Sequence, residues 1–313
     1  VVTNRKQNNP KNLSSYRYLS YNKTKYNMSK SKTNTDSLAA DTSKTDKEMT
    51  VFLIESVAKK TYIAPDIDEE IVIANKVSGL KNPSFSSVIT QFQPFAFYKS
   101  SIQILDKYYL NPISKGSTSK YSFRIEDTLL NETDTTFIIS FKPRKKKNFD
   151  GMKGLLYINT NKYAIQNVIA EPFDKGFISM KIQQKYSFVN SNNWFPEELN
   201  YQLIINNYPE KNVKTILYGE AFIDSVEIEP EIRRREVSVV SFSIEEGANE
   251  KDSTYWESTR KSELTKEEKQ TYHLIDSLGE EYNFDDKMRF VDKIFAGKIP
   301  VKFIDFNLNK SIV

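Results

Sequence analysis

From Ile178 to Phe188 apolar and polar side chains alternate. Ile178, Met180, Ile182, Tyr186 and Phe188 occupy one set of positions, with Gln184 the one interruption, and Ser179, Lys181, Gln183, Lys185 and Ser187 occupy the other. A period of two is that of a half-buried strand. Leu199, Tyr201, Leu203 and Ile205 repeat it against Asn200 and Gln202, with Ile204 the exception. Tyr121, Phe123 and Ile125 share one face of a third segment. Phe137, Ile139 and Phe141 share one face of a fourth, with Ile138 turned away. "MKGLLYINT", "KYAIQNVIAEP" and "NVKTILYGEAF" continue the series. The connections, such as "NETD" after Leu130 and "NTNK" before Tyr163, are hairpin-sized. Strands joined so tightly are antiparallel neighbours. The pattern predicts a mainly β protein: a curved antiparallel meander with one face on apolar packing and the other in water.

Two stretches break the alternation. Met28 to Thr50 is polar, rich in Ser, Thr, Lys and Asp, and too poor in apolar area to offset the entropy of ordering. In the C-terminal third, Thr265-Lys266-Glu267-Glu268 matches a capping box, followed at helical spacing by Tyr272, Ile275, Leu278 and Tyr282. A second short helix is expected to carry Phe284, Met288, Val291 and Phe295, with Gly297 beyond its end. The expected organisation is a short N-terminal helix and a first strand within 1–28, a flexible insertion at 29–50 and the curved sheet at 51–240. A linker at 241–264, a helical segment at 265–297 and the opening of another strand at 298–313 complete it.

Composition narrows the chemistry. The chain of 313 residues has no cysteine, one histidine and nine glycines, against 18 tyrosines and 20 phenylalanines. Disulfides and thiolate catalysis are therefore excluded, and a structural zinc site nearly so. His273 lies off the apolar stripe of its helix. No phosphate-cradling glycine motif occurs, and "EEGANEKD" lacks the spacing of a calcium loop. No cofactor, metal or catalytic residue is expected. The carboxylate pairs Glu197-Glu198 and Asp285-Asp286 are sequence neighbours, and adjacent strand residues face opposite ways unless a bulge intervenes.

The net charge is only +4, so the run "PRKKKNFDG" is a local feature. It falls between two strands, at a hairpin tip where water solvates its lysines. One interleaved aromatic, Phe149, is too few for stacking bases, and no nucleic-acid partner is expected. A membrane surface or partner is the better use for Arg144, Lys145, Lys146, Lys147 and Phe149. The second candidate site is the apolar strand face formed by Ile178, Met180, Ile182, Tyr186, Leu199, Tyr201, Leu203 and Ile205. That face is either core or a groove for an acyl chain or an unfolded strand.

Several segments carry a resemblance: "SYNK" from Ser20, "FYKSSIQILDKYYLNPIS" from Phe97, "FKPRKKKNFDGMKGLLYINTNKYAIQNVIAEP" from Phe141, "WFPEELNYQL" from Trp194 and "YWESTRKSELTKEE" from Tyr255. Together they resemble a Bacteroidota family of unknown function. Its members carry an upstream carboxypeptidase-regulatory-like domain and a C-terminal outer-membrane β-barrel, with the present chain matching the region between. The meander is more distantly similar to periplasmic lipoprotein-carrier half-barrels, which open with a short N-terminal helix. The resemblance implies a non-enzymatic binding or adaptor domain at the periplasmic face of the outer membrane. Its implied partners are the barrel in the same chain and a lipid, polypeptide or transport component. A free carrier of apolar ligands and a carboxylate-dependent hydrolase are the alternatives.

Overall fold

A computed structural model describes residues 1–30, 48–79, 95–104, 107–145, 148–174, 176–190, 192–208, 211–238 and 240–281. The elements in chain order are β1 (Ser15–Lys30), β2 (Glu48–Ile63), β3 (Ile67–Val77), β4 (Ser101–Ile104), β5 (Lys107–Leu110), β6 (Tyr121–Leu130), β7 (Thr135–Pro143) and β8 (Met152–Asn159). There follow β9 (Ala164–Pro172), β10 (Ile178–Val189), β11 (Asn193–Asn206), β12 (Val213–Ile228), β13 (Phe242–Ile244), α1 (Ser253–Thr259) and α2 (Lys266–Glu281). The short helical start that the sequence predicts takes the form of two 3-10 helices, Thr3–Arg5 and Pro10–Asn12.

Eleven strands form one curved, open sheet in the order β13-β3-β2-β1-β12-β11-β10-β9-β8-β7-β6. The run from β6 to β12 is the predicted meander. β1 then inserts between β12 and β2, pairing antiparallel with both. Among the described strands of this sheet, only β13 runs parallel to its neighbour, β3. The hairpin β4–β5 forms a separate two-stranded sheet.

The alternation sorts the side chains onto two faces. On the inner face, Met152, Leu156, Ile158, Val168, Ala170, Met180, Ile182 and Tyr186 build the main core with Phe97, Tyr98, Ile102, Ile104 and Ile113 of the segment that carries β4 and β5. Gln184 interrupts the apolar pattern of β10 without leaving the face. It is fully buried, and its Oε1 accepts a 2.7 Å hydrogen bond from Tyr186 Oη. Tyr16, Tyr18, Tyr62, Phe195, Leu199 and Ile223 form a second inner cluster.

On the outer face, Trp256 of α1 packs on Tyr21, Val57 and Ala74. This corrects the linker expected at 241–264: the stretch supplies a sheet strand, β13, and a helix anchored by a buried tryptophan. The polar insertion is also shorter than expected, because β1 extends to Lys30 and β2 begins at Glu48. The rest of that insertion, the second C-terminal helix and the strand at 298–313 lie outside the described residues.

The capping box closes as its spacing dictates. Thr265 Oγ1 accepts from Glu268 N at 3.2 Å, and Glu268 Oε2 accepts from Thr265 N at 3.0 Å. Replacing Thr265 by alanine is expected to cost about 1 kcal/mol, measured as a lowered urea midpoint with an unchanged slope.

Two glycines allow backbones and rings to close up. A Cβ on Gly219 would sit 1.9 Å from the Tyr201 ring, which lies flat across that position. A Cβ on Gly154 would sit 1.9 Å from the carbonyl oxygen of Ile169 on the neighbouring strand.

Candidate functional site

The apolar strand face is covered by the chain itself. Met180, Ile182, Tyr186, Tyr201 and Leu203 are buried in the main core, and Leu199 in the second cluster. Ile178 and Ile205 are half-buried and face each other across β10 and β11. The cover is the segment from Phe95 to Ile113, which holds to the sheet by hydroxyls as well as by area. Tyr186 Oη accepts a 2.8 Å bond from Phe97 N, and Tyr98 Oη accepts a 2.9 Å bond from Ile165 N. Asn111 Nδ2 donates to the carbonyls of Phe97 and Lys99, tightening the segment on itself. Burial pushes Tyr186 and Tyr98 well above the ordinary tyrosine range, and Tyr121 and Tyr201 up to about 12. These phenols therefore stay protonated and act as fixed hydrogen-bonding posts.

The apolar surface continues past the cover. Phe123, Phe137 and Ile139 are half-buried on the inner face, and cross-strand pairing sets Ile125 opposite Ile139. Ile125 is 61% exposed, and Leu130 at the end of the same strand is 80% exposed. β6 is also an edge of the sheet, with no further strand beside it among the described residues.

The basic loop divides differently from its sequence. Arg144 is exposed, but its guanidinium donates to the carbonyls of Tyr121 (2.8 Å) and Thr118 (3.4 Å), which ties two loops together. Phe149 turns inward, edge-on to the Tyr121 ring at 5.4 Å and under the Lys120 ammonium at 5.5 Å. Lys145 is exposed, and Lys146 and Lys147 lie outside the described residues.

The strongest electrostatic feature was not visible in the sequence. Glu55 in β2 is fully buried under the two helices. Arg260 Nε and Nη2 grip its two oxygens at 2.7 and 2.8 Å, and Tyr21 and Tyr272 each donate a hydroxyl at 2.6 Å. Burial alone would raise this carboxyl, but the bonds from Arg260, Tyr21 and Tyr272 outweigh it and hold it below the usual glutamate range. Beside it, Lys23 reaches Glu220 at 3.2 Å and Glu268 at 3.6 Å, and Lys25 reaches Glu268 at 3.2 Å. Every charge in this cluster faces a partner, so it clamps α1 and α2 to the sheet rather than awaiting a substrate.

The Glu197-Glu198 pair shows what a bulge does. Lys185 pairs with Glu198 and Tyr186 with Pro196, so Glu197 is the extra residue. Both carboxylates consequently turn to one cation, Lys185 Nζ, at 3.3 and 3.2 Å. Asp285 and Asp286 lie outside the described residues, and His273 is exposed on α2 as its position predicted. Among the described residues, no group of three or more His, Asp or Glu side chains is placed to hold a metal ion. No described helix is long and apolar enough to cross a membrane.

These features define a mainly β protein built on one open, mostly antiparallel sheet, with an apolar inner face and a helical strap fixed by buried ion pairs. The chain belongs to the family of unknown function DUF5686, whose model matches residues 1–215. No curated protein matches the sequence. Among solved structures, the chain is similar to a DUF1329 family protein from Desulfovibrio piger at 8% identity, over 74% of this chain and 92% of that one, with a TM-score of 0.25. It is also similar to lipovitellin, from a study of lipid–protein interactions, at 7% identity over 70% of this chain and 26% of that one, with a TM-score of 0.34. A LolA superfamily protein from Nitrosomonas europaea matches at 9% identity over 74% and 93%, with a TM-score of 0.22. Likenesses this distant carry no functional argument.

Proposed function

We propose that this chain is a non-enzymatic binding domain that takes an apolar ligand, an acyl chain or an apolar polypeptide segment, at the open end of its inner face. It works as an adaptor at the periplasmic face of a Bacteroidota outer membrane. There it follows a carboxypeptidase-regulatory-like domain and is joined to a membrane β-barrel in the same chain. The observation that carries the binding role is the apolar surface that runs out from under the Phe95–Ile113 cover to an open strand edge. Soluble domains rarely leave contiguous apolar surface uncovered without a use for it. The adaptor context rests on the motif resemblance. The non-enzymatic reading draws support from the buried or paired carboxylates Glu55, Glu268, Glu197 and Glu198, each of which already faces a cation of its own chain.

The test is titration of residues 1–313 with a fluorescent fatty acid and, separately, with an apolar peptide. Ile125→Asp places a charge where exposed apolar surface now lies, and its cost to stability is expected within about 0.5 kcal/mol. Saturable binding of either probe, weakened on the order of tenfold by Ile125→Asp, is the expected result. Absence of binding by both probes, or binding indifferent to Ile125→Asp, overturns the reading. A reaction product formed from either probe would overturn the non-enzymatic part alone.

A further inference from the structure

Antiparallel pairing gathers alternate loops at one end of the sheet. The start of β6, the end of β7, the start of β8, the end of β9, the start of β10, the end of β11 and the start of β12 all meet there. Three loops separated in sequence are consequently joined at this rim. Arg144 N donates to the carbonyl of Lys120, and Phe173 N donates to the carbonyl of Gly151. Asn206 N donates to the carbonyl of Phe177, which continues the line toward Tyr208. The hairpin β4–β5 joins it as well. Leu110 bridges Gly151 in parallel, so Lys107 and Tyr108 lie on the loop side of that bridge.

The side chains collected there are of two kinds. Phe177 is 58% exposed, Phe173 41%, Tyr108 61% and Tyr208 38%. Each presents a large part of its aromatic surface to water. Around them stand the exposed cations Lys107, Lys115, Lys120 and Lys145, against the exposed carboxylates Asp150 and Asp174. The arrangement differs from the basic loop read in the sequence, because Phe149 is turned inward and the wetted aromatics come from three other segments.

We infer that this rim is a docking surface for an anionic lipid bilayer, with Phe173 and Phe177 entering the headgroup boundary and the surrounding cations facing lipid phosphates. The charge is complementary to such a surface, and each basic side chain near it contributes measurable attraction. Aromatic rings that are apolar in body favour that boundary, whereas an acidic soluble partner gives exposed phenylalanine no apolar layer to enter. The surface is separate from the inner face, so its test does not depend on ligand binding there.

The experiment is flotation of residues 1–313 with vesicles of phosphatidylcholine alone and of phosphatidylcholine mixed with phosphatidylglycerol, at low and high salt. Salt-sensitive binding to the anionic vesicles is expected. Reversal of Lys115 and Lys145 to Glu should lower it on the order of tenfold or more. The exposed variant Phe177→Trp gives a second reading independent of affinity. Its fluorescence should shift to the blue and be quenched by brominated lipid only when anionic lipid is present. Failure to float with anionic vesicles overturns the inference, as does binding unchanged by the double reversal. Equal binding to soluble polyphosphate with no quenching by brominated lipid would identify a polyanion site and overturn it too.

Discussion

Replacing Glu55 by alanine is expected to cost about 3–5 kcal/mol, the range measured when one partner of a buried ion pair is removed. The truncation leaves the Arg260 guanidinium without its carboxylate and strips the hydroxyls of Tyr21 and Tyr272 of their acceptor. Against a typical domain stability of about 5–15 kcal/mol, that is a large fraction. The same site sets a pH dependence. The folded Glu55 carboxyl is held below the ordinary value. Its contribution is therefore fully present above the unfolded glutamate pKa of about 4.3 and is lost as pH falls through the lower folded value. Glu55→Gln should remove that contribution, so its stability should fall less steeply than wild type in acid. Urea unfolding at neutral pH and again below about pH 4 measures both effects. Parallel curves for wild type and Glu55→Gln would contradict the charged, hydrogen-bonded state.

Gly154→Ala is the second large effect. Its Cβ would lie 1.9 Å from Ile169 O and 2.9 Å from the carbonyl carbon, and Gly154 sits at φ +156°. A side-chain neighbour could rotate away, but a backbone carbonyl within a sheet ladder cannot. The pair β8–β9 must separate locally, where Gly154 lies opposite Ala170 and beside Phe141 of β7. A loss of about 3 kcal/mol or more is expected, read as a fall in the urea midpoint. Faster amide exchange in β8 and β9 than in β1 and β2 would place the damage.

The architecture of the meander was legible because its information is local. Alternation in β10 and β11 fixes which side chains are buried, and short polar turns fix antiparallel pairing. Thr265 and Glu268 lie three residues apart, so their reciprocal bonds follow from spacing alone. What the sequence hid was interaction at long separation. Glu55 stands in an apolar strand with no cation adjacent to it, and its partner, Arg260, comes from a stretch read as linker. Trp256 was part of a motif, yet nothing nearby in sequence says that Tyr21, Val57 and Ala74 form its seat. The alternation in β10 and β11 suits either a core or a groove. Deciding between them required the path of the Phe95–Ile113 segment, which its own periodicity does not specify.

The site assignments divide along the same line. Arg144 and Phe149 stood out as exposed binding groups because they lie in a basic loop, but a loop's side chains are free to fold back on its neighbours. The bonds of Arg144 to Tyr121 and Thr118, and the edge-on contact of Phe149 with the Tyr121 ring, make them braces for that loop. Nothing local in the sequence marks Phe173 and Phe177 as exposed, because two phenylalanines near a strand end suit a core as well as a surface.

The position of β1 has a consequence for the order of assembly. On the ribosome, β1 and β2 emerge before the rest of this sheet and can form a hairpin, but the other side of β1 must wait for β12, where Tyr16 finally meets Ile228. In the interval that edge of β1, carrying the aromatic residues Tyr16, Tyr18, Tyr21 and Tyr26, remains a template for any other strand. The β6–β12 meander assembles from nearest neighbours and has no such delay, whereas closing β1 onto β12 bears the entropy of the longest loop in the sheet. The first strand of this sheet is thus paired on both sides only once β12 is synthesised, and until then the newborn chain is more vulnerable to aggregation.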